Sequence, residues 1–93
     1  MAHIKRVYPG KKADEIYEKV DEVMQHLTAK MGLRYDKDPG KKTGKVSKMG
    51  IAGTYVASDG QVLIDLNFPM ILPGSMKRKV QEDIERRLDG LFA

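Results

Sequence analysis

Apolar residues recur at spacings of three and four from Ala13 to Met31, through Ile16, Tyr17, Val20, Val23, Met24 and Leu27. At 100° per residue they fill an arc of about 120°, the width of a core-facing helical stripe. Asp14 and Glu15 suit the positive end of this helix. Gly32 stands where a left-handed cap would end it, with Leu33 placed to pack back. Ahead of it, His3 to Tyr8 carries β-branched and aromatic residues and stops at Pro9-Gly10, which predicts a short strand, a candidate sheet edge. Behind it, Leu33-Arg34-Tyr35 alternates as a second strand.

Asp59-Gly60, flanked by alternating residues, predicts a two-residue type I′ turn with Ser58 opposite Gln61. That register sets Ala57 against Val62, Tyr55 against Ile64, Gly53 against Leu66 and Ile51 against Phe68 on one face. The other face pairs Thr54 with Asp65 and Ala52 with Asn67, with Val56 against Leu63 as an apolar exception. Gly53 is expected to leave room for a helix to approach. Met76, Val80, Ile84, Leu88 and Leu91 form the stripe of a second helix, with Phe92 at its margin and Ser75 as its expected N-cap. Glu82–Arg86 and Asp83–Arg87 are spaced for i,i+4 pairs, and Arg87 is placed to bury its stem along the helix edge. The pattern predicts a single α+β domain over residues 1–93, in the order β-α-β-β-β-α. Its antiparallel sheet carries both helices on one face.

Charge changes this picture at two places. Six of the 17 basic residues and two of the 13 acidic ones fall between Arg34 and Lys48, so the whole +4 excess lies in that Gly-rich stretch. It reads either as a solvated connection or as an arm for phosphates or an acidic partner, through Lys41, Lys42 and Lys45. Lys77, Arg78 and Lys79 crowd the first turn of the second helix, where cations oppose the macrodipole. They read either as a tolerated solubility run or as a second part of that anion site. Met70-Ile71-Leu72, an apolar triplet between two prolines, reads as core filling or as an exposed interface.

Several kinds of chemistry are not expected. With no cysteine there are no disulfides, thiolate nucleophiles or zinc ribbons. Gly40-Lys41-Lys42-Thr43-Gly44-Lys45-Val46 has the wrong glycine spacing for a phosphate-binding loop, and valine stands where the magnesium hydroxyl belongs. Asp36-Lys37-Asp38 opens like a calcium loop, but Ser47 stands where a bidentate glutamate is needed. His26 falls off the apolar arc, and nothing places a carboxylate or serine beside it or His3. Ser47, Ser58 and Ser75 lack a nucleophile context. The expectation is a non-enzyme without metal or cofactor. Its lack of cysteine, of an apolar leader and of a transmembrane segment suits the cytoplasm.

The order of elements resembles that of the polyhydroxyalkanoic acid system proteins. So do Gly50-Ile51-Ala52-Gly53-Thr54-Tyr55, Met31-Gly32-Leu33-Arg34-Tyr35, the apolar stretch from Leu66 to Leu72, and the ending Ile84-Glu85-Arg86-Arg87-Leu88-Asp89-Gly90-Leu91-Phe92-Ala93. These are small bacterial proteins encoded near genes of polyester-granule synthesis. The resemblance covers nearly the full length and departs at Pro9-Gly10, where family members often carry a histidine after the proline; the basic Gly-rich segment is also longer than usual. It supplies no catalytic residue. It implies a binding or structural module of polyester storage, meeting the granule surface or granule proteins through Met70, Ile71 and Leu72, with the lysines on acidic groups. An alternative is nucleic-acid binding, because helix, three strands, helix is the order of double-stranded-RNA-binding domains. There Lys77, Arg78 and Lys79 would face phosphates, with Lys41, Lys42 and Lys45 beside them. A homodimer is a third expectation, through the leading strand as an edge or through the Met70–Leu72 triplet.

Overall fold

The computed structural model describes residues 2–48, 50–69 and 72–92. Strand β1 (Ala2–Val7) leads into helix α1 (Ala13–Met31), then β2 (Arg34–Asp38), β3 (Thr43–Lys48), β4 (Ile51–Ser58), β5 (Gln61–Asn67) and helix α2 (Gly74–Leu91). The strands form one antiparallel sheet in the order β1-β5-β4-β3-β2. β2 to β5 is a meander, and β1 closes the far edge by pairing with β5. Ile16, Val20, Val23, Met24 and Leu27 of α1 and Ile84 and Leu88 of α2 pack on Ile4, Val46, Tyr55, Ala57, Val62, Ile64 and Leu66. Both helices therefore cover one face of the sheet, as expected of this α+β pattern. β1 is the edge strand that its sequence predicts.

The Asp59-Gly60 hairpin has the predicted register, with Ala52 opposite Asn67 and Ser58 opposite Gln61. Helix α1 ends as expected on Gly32, at φ 67° and ψ 36°. The amides of Gly32 and Leu33 both donate to the Thr28 carbonyl, at 2.8 and 3.1 Å, and Leu33 is buried. Several features differ from the expectation.

Four strands, not three, follow α1, because Thr43–Lys48 of the basic stretch forms β3. Its inward positions are Gly44 and Val46, both buried, while Lys45 points to solvent. Gly44 faces Tyr55 across the ladder, and a Cβ there would overlap the Cε2–Cζ edge of the tyrosine ring. The glycine is the space that the ring occupies. Met24 of α1 lines the small space beside Gly53. Leu66 Cδ2 and Val46 Cγ2 already lean to 2.9 and 3.0 Å from where its Cβ would be.

Ser75 is not a cap: Pro73 holds the N-cap position of α2, and no side chain caps the helix. The helix begins two residues earlier, at Gly74, and Met76, the first member of the predicted stripe, is 51% exposed. Of the predicted ion pairs, Asp83 accepts from Arg87 Nε at 3.2 Å, and Arg86 also turns to Asp83, at 2.9 Å, instead of Glu82.

Candidate functional site

The register fixes which end of the molecule each basic group occupies. Lys41 and Lys42 lie on the β2–β3 turn, beside the Asp59-Gly60 end of the sheet, where the Ala57 amide donates to the Lys42 carbonyl at 2.9 Å. Helix α2 starts from the opposite end, after Asn67, so Lys77, Arg78 and Lys79 are a sheet length away from that turn. One anion site containing both groups is therefore not formed. Lys42 sits at φ 56° and is turned inward. Its ammonium donates to Asp14 at 2.9 Å and to the Pro39 carbonyl at 2.8 Å, and lies 5.8 Å from the Tyr17 ring centre. It clasps the turn to α1. Lys45 stands exposed on the uncovered sheet face, in line with Thr54 and Asp36. Met70 and Ile71 lie outside the described residues. Leu72 is half-buried, and its amide donates to the Pro69 carbonyl at 3.0 Å.

What the fold does assemble at the α2 start is a groove of about 510 Å³ between the helices. Helix α1 runs toward this end and α2 away from it. Leu27, Met31, Met76 and Val80 supply the apolar lining, while Lys30, Lys79 and Arg86 stand around it with Glu82 and Asp83. Burial alone would raise the Asp83 carboxyl pKa, but hydrogen bonds from Arg87 and Arg86 hold it below the usual carboxylate range. Asp83 is thereby occupied by the two arginines. Lys30 and Lys79 frame the groove as cations, and Met76 is exposed at 51%. The sequence carried a trace of this site. Lys30-Met31 ends one helix and Met76 to Lys79 begins the other, and only their antiparallel packing makes them neighbours.

The phenols form a separate network. Tyr35 donates to Asp21 Oδ1 at 2.7 Å, which commits its one proton, so Tyr55 donates to the Tyr35 oxygen at 2.7 Å. Lys37 closes the set on Asp21 at 3.1 Å. Burial first, and these bonds second, push the Tyr35 phenol far above its ordinary range; burial chiefly does the same for Tyr55. Both stay protonated at neutral pH and tie α1 to β2 and β4. At the other edge Arg6 reaches Asp89 at 2.9 Å and Glu85 at 3.2 Å. Tyr8 donates to Asp89 at 2.9 Å and stacks on Phe92 at 3.9 Å, which fastens β1 to α2. His3, for which the sequence places no acidic neighbour, is hydrogen-bonded to Asp65, its cross-strand partner on the exposed face. Two histidines were legible; that β1 lies beside β5 was not. His26 is exposed, as its place on the helix predicts.

Among the described residues, no group of three or more His, Cys, Asp or Glu converges as a metal site would, and no helix is long and apolar enough to cross a membrane. The family model described as polyhydroxyalkanoic acid system protein matches residues 4–92. The chain belongs to that family. No curated protein matches it. In this polyhydroxyalkanoic acid system protein the order of elements departs from helix, three strands, helix by a leading strand and by β3. Its basic groups are also divided between the two ends of the sheet.

Proposed function

We propose that the protein is a non-enzymatic binding module of polyhydroxyalkanoate storage, which attaches to the granule surface or to a granule-bound protein through the groove between its helices. The observation that carries this reading is the position of Met76. It belongs by spacing to a core-facing stripe, yet it stands half-exposed over Leu27, Met31 and Val80. An adaptable thioether on an apolar floor suits an apolar contact, and Lys30 and Lys79 beside it suit acidic groups at the edge of that contact. Family membership supplies the setting. A binding role also agrees with how the polar side chains are used, since the Asp21 and tyrosine network joins α1 to β2 and β4, and Asp83 is taken up by Arg86 and Arg87 of its own helix.

The test is co-sedimentation of the purified protein with native polyester granules at low and high salt. Pelleting is expected at both. Met76→Asp should weaken it by about tenfold to a hundredfold, corresponding to the roughly 1.5–3 kcal/mol of burying such a side chain. A wild-type protein that stays in the supernatant at both salts overturns the reading.

A further inference from the structure

The face of the sheet away from the helices is uncovered by any described element, and its register gives it an internal symmetry. Across the five strands one row reads Lys5, Leu63, Val56, Thr43, Asp38 and the next reads His3, Asp65, Thr54, Lys45, Asp36. Each row has a basic residue on β1 and an acidic one on β2, with β4 in the middle. Val56 and Leu63, 47% and 40% exposed, form an apolar centre, and Val7 adds to it at 57%.

We propose that this face is the contact between two copies of the chain, related by a two-fold axis that runs along β4. Such an axis exchanges β1 with β2 and β5 with β3. Lys5 then meets Asp38 of the second copy, His3 meets Asp36, and Asp65 meets Lys45, each pair occurring twice. Val56 and Thr54 meet themselves on the axis, and Leu63 meets Thr43. No like charges oppose one another in these rows. The strand directions of the two sheets stay nearly aligned, as in ordinary sandwich packing with sheets about 10 Å apart.

The charges decide against the other face-to-face arrangement. A two-fold axis across the strands would bring Asp36 against Asp38 and His3 against Lys5. The strand order is symmetric about β4 while the charge pattern is antisymmetric, which is the condition for a self-complementary, isologous contact. Five strands of about six residues cover roughly 24 Å by 20 Å. A patch of that size lies at the low end of specific interfaces, so the dimer dissociates on dilution. This contact is separate from the helical groove, and either can fail without the other.

Sedimentation equilibrium over a concentration series tests it on the full chain. Wild type should shift from monomer to dimer as concentration rises. Lys5→Glu and Asp38→Lys should each weaken the dimer by about tenfold or more, because each replaces two attractions by two repulsions. An equimolar mixture of the two variants should dimerise again, and so should the Lys5→Glu/Asp38→Lys double variant. Within one molecule these positions lie four strand spacings, roughly 19 Å, apart, too far for rescue inside one chain. Asp38 also accepts from the Lys41 amide in its turn, so circular dichroism of each variant confirms folding. Val56→Glu, which alters no turn, should abolish the dimer independently by placing two carboxylates on the axis. A wild type that remains monomeric throughout overturns the proposal. So does a dimer that the two charge reversals leave unchanged, which would place the contact at the β1 edge or in the groove.

Discussion

Tyr55 is the largest side chain buried in the core, and it reaches that position because the residue opposite it has no side chain. Its ring lies over Gly44, and its hydroxyl enters the chain of bonds through Tyr35 to Asp21. Gly44→Ala should therefore cost about 1–3 kcal/mol, as an overpacked core does. In Tyr55→Leu the same change should cost clearly less, because the ring is gone. Urea unfolding of the two single variants and the double variant measures this coupling. The raised phenols predict a pH dependence as well. Ordinary tyrosines ionise near pH 10, whereas burial lifts Tyr8, Tyr35 and Tyr55 above that in the folded state. Their contribution to stability is complete below pH 10 and is lost as pH rises toward the folded values. Absorbance at 295 nm should thus show a fraction of the tyrosines ionising late, together with the loss of circular dichroism that marks unfolding. Independent ionisation of all four near pH 10 would contradict these burials. Little of this was legible beforehand. Gly44 reads as a loop residue until its cross-strand partner is known, and Tyr35 and Tyr55 carry no sign in the sequence that their hydroxyls meet.

At the level of elements, α2 is the one whose ends work against it. Its N-cap is Pro73, no acidic residue sits in its first turn, and Lys77 stands there instead. Lys77→Glu should raise stability by about 0.3–1 kcal/mol, a few degrees in Tm, and the gain should shrink at 1 M salt. A stable helix start is evidently not what these cations provide. The remaining elements show what pattern does and does not reveal. The Asp59-Gly60 turn dictates the β4–β5 register because a two-residue loop permits no slip. Strand β3 escaped notice because its two inward residues are a glycine and a valine, too few to display a period. The α2 stripe identified which residues share a face. It could not say which of them would be covered: Ile84 and Leu88 are buried, whereas Met76 is exposed.

At the scale of the molecule, the two helices and the sheet divide the surface into a helical groove at one end and an open face on the back. Met76→Asp should weaken granule binding and leave the dimer intact, whereas Val56→Glu should abolish the dimer and leave granule binding intact; granule pelleting and sedimentation read the two separately. The charge excess drew attention to the basic stretch and local crowding of cations to the start of α2, and the fold places the two at opposite ends of the sheet. Their separation depends on strand directions, which composition does not contain. The antisymmetric rows of the open face are hidden even more deeply. They exist only once β1 is seen beside β5.

That pairing has a consequence for how the chain assembles. β2, β3, β4 and β5 are joined by connections of two to four residues, so each can close on its predecessor as soon as it is available. β1 must wait for a partner some sixty positions away, whereas α1 can begin to cover β2, β3 and β4 as they form. During synthesis Ile4 leaves the ribosome well before the strand that pairs with it. For most of that interval the growing chain presents the same greasy surface that it later hides, and it is then most exposed to misassociation and to chaperone capture.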